Sequence, residues 1–150
     1  MSGYKFIATF FGIGYIGKGA GTIAALFVGV LLYYGVQFNI YTPNRLFSLC
    51  VALMALGVHV SAKVEKSWGK DSKYVVIDEA VGMCVSVLFL PLGFITLLSG
   101  FILFRFFDIY KPLFIRKTEH LPGGWGVMTD DVVAGIYSNI VLQSALFIIG

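Results

Sequence analysis

Five of the eight acidic residues in this 150-residue chain stand in three short blocks: Asp78-Glu79, Asp108 and Asp130-Asp131. Carboxylates are hard oxygen ligands that suit Mg2+ or Mn2+, and five of them brought together would repel one another unless a cation neutralised the group. Arg105 and Lys111 flank Asp108 at i−3 and i+3, where each can pair with it or hold phosphate oxygens. Two glycine-rich segments, Gly12 to Thr22 and Leu121 to Gly126, can turn backbone N–H groups toward an anion. The first adds the Lys18 ammonium and the Thr22 hydroxyl, and the second contains Gly123-Gly124. It is not a nucleotide-binding P-loop, because the GK[ST] ending is missing. Each feature also has a plainer use: acids at helix starts favour the dipole, Thr129 is a fitting N-cap, and glycine loops serve as membrane-entry turns. Taken together, the residues point to a metal-plus-phosphate site.

The elements that must position these residues are apolar. Hydrophobic residues make up 58% of the chain and charged residues 13%, against about 25% charged in a typical soluble domain. The mean hydropathy is +0.87. Such a composition excludes disorder and argues against a water-soluble surface. A net charge of +3 with no Lys/Arg tract gives no nucleic-acid stripe. Cys50 and Cys84 lie singly in apolar runs, so neither a zinc site nor a disulfide framework is indicated. Lys5 followed by Phe6 to Ile16 has the look of a signal peptide, but a further hydrophobic stretch follows directly, which argues against that reading.

The expected architecture is an all-α, polytopic membrane helical bundle forming one integral-membrane domain over residues 1–150. Spans are expected at Thr22–Phe38, Leu46–Ala62, Val75–Leu90, Phe94–Tyr110 and Val132–Ile149, about five in all. Phe6–Ile16 is too short to cross and is expected to re-enter or to lie at the interface. The stretch Val75 to Phe107 would make a helix about 50 Å long, too long for a hydrocarbon core of about 30 Å. Pro91-Leu92-Gly93 offers the break that turns it into a hairpin. With that hairpin, Lys5, Lys18, the loop Lys63–Lys73 and the loop Lys111–Lys117 fall on one side, and Arg45 falls on the other. The positive-inside rule makes the lysine side cytoplasmic, and all five clustered acids lie at that edge.

Polar and small residues repeat at i, i+4, i+8 as Asp78, Gly82, Ser86 and as Asp131, Gly135, Asn139, with Ala134 and Ser138 alongside. Such stripes let membrane helices pack closely and should face the bundle interior. His59 lies on a small-residue stripe with Ser48, Ala52 and Ala55 and reads as a packing histidine, and His120 as a loop residue.

The runs Asp78-Glu79-Ala80-Val81-Gly82, Phe104-Arg105-Phe106-Phe107-Asp108-Ile109-Tyr110-Lys111-Pro112 and Gly123-Gly124-Trp125-Gly126-Val127-Met128-Thr129-Asp130-Asp131 resemble the signature blocks of the phosphatidylglycerophosphatase A family. The resemblance covers about residues 12 to 140. It implies a bacterial, Mg2+-dependent membrane enzyme that removes the terminal phosphate of phosphatidylglycerophosphate to give phosphatidylglycerol in glycerophospholipid biosynthesis. It implies acidic site roles for Asp78, Glu79, Asp108, Asp130 and Asp131 as metal ligands, with Asp78, Asp108 and Asp131 catalytic. Phosphate-binding roles fall to Arg105, Lys111, Lys18, Thr22, Gly123 and Gly124. The expected location is the cytoplasmic (inner) membrane, multi-pass, with the site facing the cytoplasm. One departure stands out: Gly17 and Ala20 occupy positions where the family usually carries proline, while Gly21-Thr22 is kept. The attacking group, an activated water or an aspartate, stays open. The rival reading is a cation- or proton-translocating membrane protein, which would place its carboxylates near the bilayer midplane.

Overall fold

The structure is a computed structural model that describes residues 2–150. These form seven α-helices and no strand: α1 Gly3–Ala8, α2 Ala20–Gln37, α3 Pro43–Trp68, α4 Ile77–Ser86, α5 Phe94–Tyr110, α6 Ile115–Thr118 and α7 Gly124–Ile149, with a 3-10 turn at Ile13–Ile16 before α2. The chain is an all-helical membrane bundle. Helices α2, α3 and α7, of 18, 26 and 26 residues, are long and apolar enough to cross a bilayer. Their outer faces carry exposed Leu26, Val51 and Phe147, a surface that water would not tolerate and lipid does. Helix α5, at 17 residues, comes close to the same reach.

Local sequence explains several boundaries. Thr42 caps α3, its hydroxyl oxygen accepting from the Arg45 N–H at 3.3 Å, with Pro43 at the first helical position. Helix α5 ends at Lys111, which turns left-handed (φ 48°) before Pro112. The N-terminal stretch does not span: α1 has six residues, and the chain turns at Phe10, Phe11 and Gly12 with positive φ. The Ala8 carbonyl accepts from the Val76 N–H at 3.0 Å, tying this segment to the approach to α4.

Helix α4 sits at the centre, packed on α7 with α2, α3 and α5 around it, and eight of its residues are buried. The two polar stripes meet here in register. A Cβ on Gly135 would lie 2.6 Å from the Gly82 carbonyl oxygen, and one on Gly82 would lie 2.9 Å from that of Asp131, so only glycine permits this approach.

Helix α4 is also shorter than the expected Val75–Leu90: it stops at Ser86, and Phe89 adopts a positive φ of 61°. The reason lies on α7. The Asn139 side-chain amide donates to the carbonyls of Val85, Ser86 and Leu88 at 3.1, 3.2 and 2.9 Å. Non-helical backbone at membrane depth persists only where protein satisfies it, and one amide does so here. The α4–α5 hairpin is therefore present, with its break running from Val87 to Gly93 rather than only at Pro91-Leu92-Gly93.

Candidate active site

The starts of α4 and α7 and the end of α5 come together at one end of the bundle. Asp78 and Glu79 lie in the first turn of α4, Asp108 in the last turn of α5, and Asp130 and Asp131 near the start of α7. Carboxylate oxygens of Asp78, Asp130 and Asp131 lie within 4.8 Å of one another, and so do those of Glu79, Asp108 and Asp131. Asp131 belongs to both groups and is the most enclosed, at 2% exposure.

The five acids do not have equal partners. Asp108 pairs with Arg105, and Lys111 Nζ reaches Asp130 Oδ2 at 2.6 Å, Glu119 Oε1 at 3.2 Å and Asp108 Oδ1 at 3.5 Å. Asp130 Oδ1 also accepts from the Asp131 N–H at 3.0 Å. By contrast, Asp78 Oδ1, Glu79 Oε2 and Asp131 Oδ2 are buried with no hydrogen-bond partner. Burial works to lower the Lys111 pKa, but Asp130, Asp131 and Asp108 outweigh it and hold the pKa well above the usual lysine value. Lys111 is thus a fixed cation. Arg105 leaves its Nε buried and unpartnered.

These residues line a cavity of about 510 Å³ that also takes in Gly17–Gly21 before and at the start of α2, and Asp71, Ser72 and Lys73 between α3 and α4. Gly21 lies so close to Glu79 that any side chain there would run into its carboxylate, which sets the positive end of α2 beside an acid. Gly17 has φ 101°, a conformation closed to proline, whose ring locks φ near about −65°. The loop before α2 therefore follows a path that a proline at that position could not take.

Of the phosphate-binding candidates, Arg105, Lys111 and Lys18 line the cavity. Thr22, Gly123 and Gly124 are not among its lining residues. Gly124 packs against the Val58 carbonyl of α3, where a Cβ would clash, and Gly123 takes a positive φ of 61° just before the helix. His59 stacks edge-on against Tyr4, away from the cavity. Sequence reasoning missed Asp71, Ser72 and Lys73, reading their loop only for its effect on topology. Its position directly before the Asp78-Glu79 helix was the available signal.

The donor set fits a hard divalent cation. Three buried carboxylate oxygens lack partners, and the two triads share Asp131.

A family model described as phosphatidylglycerophosphatase A matches residues 6–146. A Bacteroides thetaiotaomicron protein named "Putative phosphatidylinositol-3-phosphatase" is 38% identical over 96% of this chain and 94% of its own. Proteins named phosphatidylglycerophosphatase A from Haemophilus influenzae and Escherichia coli are 39% and 33% identical, over 91% and 93% of this chain and 84% and 81% of theirs. No solved structure matches the chain.

Proposed function

The chain belongs to the phosphatidylglycerophosphatase A family, and from that premise we propose that it hydrolyses the terminal phosphomonoester of phosphatidylglycerophosphate to give phosphatidylglycerol, with Mg2+ as cofactor. The observation that carries this reading is the trio of buried, unpartnered oxygens on Asp78, Glu79 and Asp131 beside the free Nε of Arg105. An anionic phosphate would not enter such an acidic cavity without a compensating cation. Asp78, Glu79 and Asp131 would hold the ion, with Asp108 and Asp130 completing the two triads. When bound, Mg2+ offsets phosphate charge, polarises phosphoryl oxygens and makes water a better nucleophile.

The chain's own residues supply the rest. Arg105, braced by Asp108, offers its remaining donors to phosphate oxygens, and Lys111 sets a fixed positive charge among Asp108, Glu119 and Asp130. Whichever of Asp78 and Asp131 keeps an oxygen off the ion would accept the proton of the attacking water. Acyl chains stay in the bilayer while the headgroup reaches the cavity. The lysine-rich loops share the site's end of the bundle and Arg45 stands at the other, which supports a cytoplasmic orientation in the bacterial inner membrane.

The rival ion-carrier reading needs carboxylates along the bilayer depth. The described core beyond the site is instead Val28, Leu32, Met83 and Phe104.

The Bacteroides relative's name raises a second phosphomonoester lipid, phosphatidylinositol 3-phosphate, as a comparison substrate. The test is phosphate release in detergent from each lipid, with and without EDTA. Release from phosphatidylglycerophosphate that EDTA abolishes and Mg2+ restores is expected. Its absence, with the folded protein in hand, overturns the assignment.

A further inference from the structure

The cavity's cations fall into two sets. Arg105 and Lys111 face carboxylates at short range. Lys18 and Lys73 line the same cavity from the loop before α2 and the loop before α4. Among the described residues neither is paired with a carboxylate, although Asp71 also lines the cavity. Lys73 is not free to wander: its ammonium lies 5.3 Å from the centre of the Tyr74 ring, which packs in turn on Trp68 and Tyr15. Lys70 of the same loop, and Lys63 and Lys66 near the end of α3, do not line the cavity.

The substrate class has the complementary pattern. A lipid whose headgroup ends in a phosphomonoester also carries a phosphodiester, separated from it by the headgroup's own carbons. When the monoester enters the acidic cavity, the diester's negative charge must come to rest nearby. The cavity of about 510 Å³ has room for more than one phosphate, given that a water takes about 30 Å³ of liquid. The acids and their paired cations occupy its buried part, which leaves two exposed, unpaired lysines for the second anion.

We infer that Lys18 and Lys73 form a rim subsite for the substrate's phosphodiester, so that the enzyme selects lipids carrying a diester beside the scissile phosphate. The inference rests on the phosphatase reading and names how that site recognises its substrate class. Both residues are specificity determinants and touch no reacting atom.

The test compares Lys18→Gln, Lys73→Gln and the double variant with Lys70→Gln, which removes a loop charge outside the cavity. Steady-state kinetics are run on phosphatidylglycerophosphate in mixed micelles, with inhibition by inorganic phosphate in parallel. KM should rise roughly threefold per lysine and about tenfold for the pair, the scale of exposed ion pairs. The turnover number and the inhibition by inorganic phosphate should stay unchanged, and Lys70→Gln should match the parent. A matching KM rise in Lys70→Gln would reduce the effect to general surface charge and overturn the subsite. So would an unchanged KM in the double variant, or a turnover number that falls with it. No phosphate release by the parent protein would instead sink the phosphatase assignment itself.

Discussion

The two ends of α4 are treated in opposite ways. At its C-terminal end, where the helix breaks within the bundle, one side chain, Asn139, donates to the carbonyls of Val85, Ser86 and Leu88 at 2.9–3.2 Å. At its N-terminal end, Asp78 and Glu79 each keep a buried oxygen with no partner, and Asp131 opposite them keeps another. The same helix pair, α4 and α7, builds both ends with the same spacing of polar and small residues. Unsatisfied polar groups at membrane depth are costly. The fold removes that cost at one end of the helix and leaves it in place at the other, on the carboxylates proposed above to hold a cation. The contrast is between polar groups satisfied within the fold and polar groups left without a partner, and it holds without reference to any relative.

The largest effect that would break this comparison lies at the acidic end. Asp131→Asn and Asp78→Asn should each lower phosphate release from phosphatidylglycerophosphate by several kcal/mol in activation free energy, on the order of a thousandfold. The same variants should leave the melting temperature in EDTA unchanged or raised, because one of several repelling charges has gone. A fall in both activity and metal-free stability would mean that the carboxylates are structural after all.

Next in size is the response to the metal. Mg2+ at a hundredfold excess over its dissociation constant should stabilise the parent protein by about 2.7 kcal/mol, read as a rise in melting temperature in detergent. Asp131→Asn should lose most of that rise, because Asp131 is shared by both carboxylate triads.

At the satisfied end, Asn139→Ala should destabilise by about 2 kcal/mol, leaving buried carbonyls without a donor, while turnover per folded molecule holds. Thermal unfolding measured beside specific activity separates the two. The smallest change is expected at the rim. Glu119 is the most exposed of the Lys111 partners, and Asp108 and Asp130 still hold that lysine without it. Glu119→Gln should shift stability by about 0.5 kcal/mol or less, with activity near that of the parent.

Much of the fold was legible from the sequence because membrane helices announce themselves by length and apolarity. The spans at α2, α3, α5 and α7 follow from runs that water would not solvate, and the hairpin follows from a stretch too long for one crossing. The stripes Asp78-Gly82-Ser86 and Asp131-Gly135-Asn139 correctly marked the inward faces, since 3.6-residue periodicity fixes which residues share a side. What the sequence did not reveal was the length of α4. The run Val87 to Leu90 is as apolar as the helix before it, and its termination depends on an amide more than fifty residues away in sequence. Gly124 likewise reads from the sequence as part of an anion loop, and the structure adds a close contact with the α3 backbone at Val58 that glycine content alone does not reveal.

By itself, then, the sequence determined that this is a small helical membrane protein with its acids concentrated in three blocks, because composition and periodicity are properties of the chain alone. Only the tertiary structure decided how those acids differ. Asp108 and Asp130 are neutralised by Arg105 and Lys111, while Asp78, Glu79 and Asp131 keep unpartnered oxygens. It also brought Lys18 and Lys73, from two separate loops, to one cavity. The physical reason is the same in both cases: a charge acquires its role from what lies within a few ångströms, and those neighbours come from distant segments packed together.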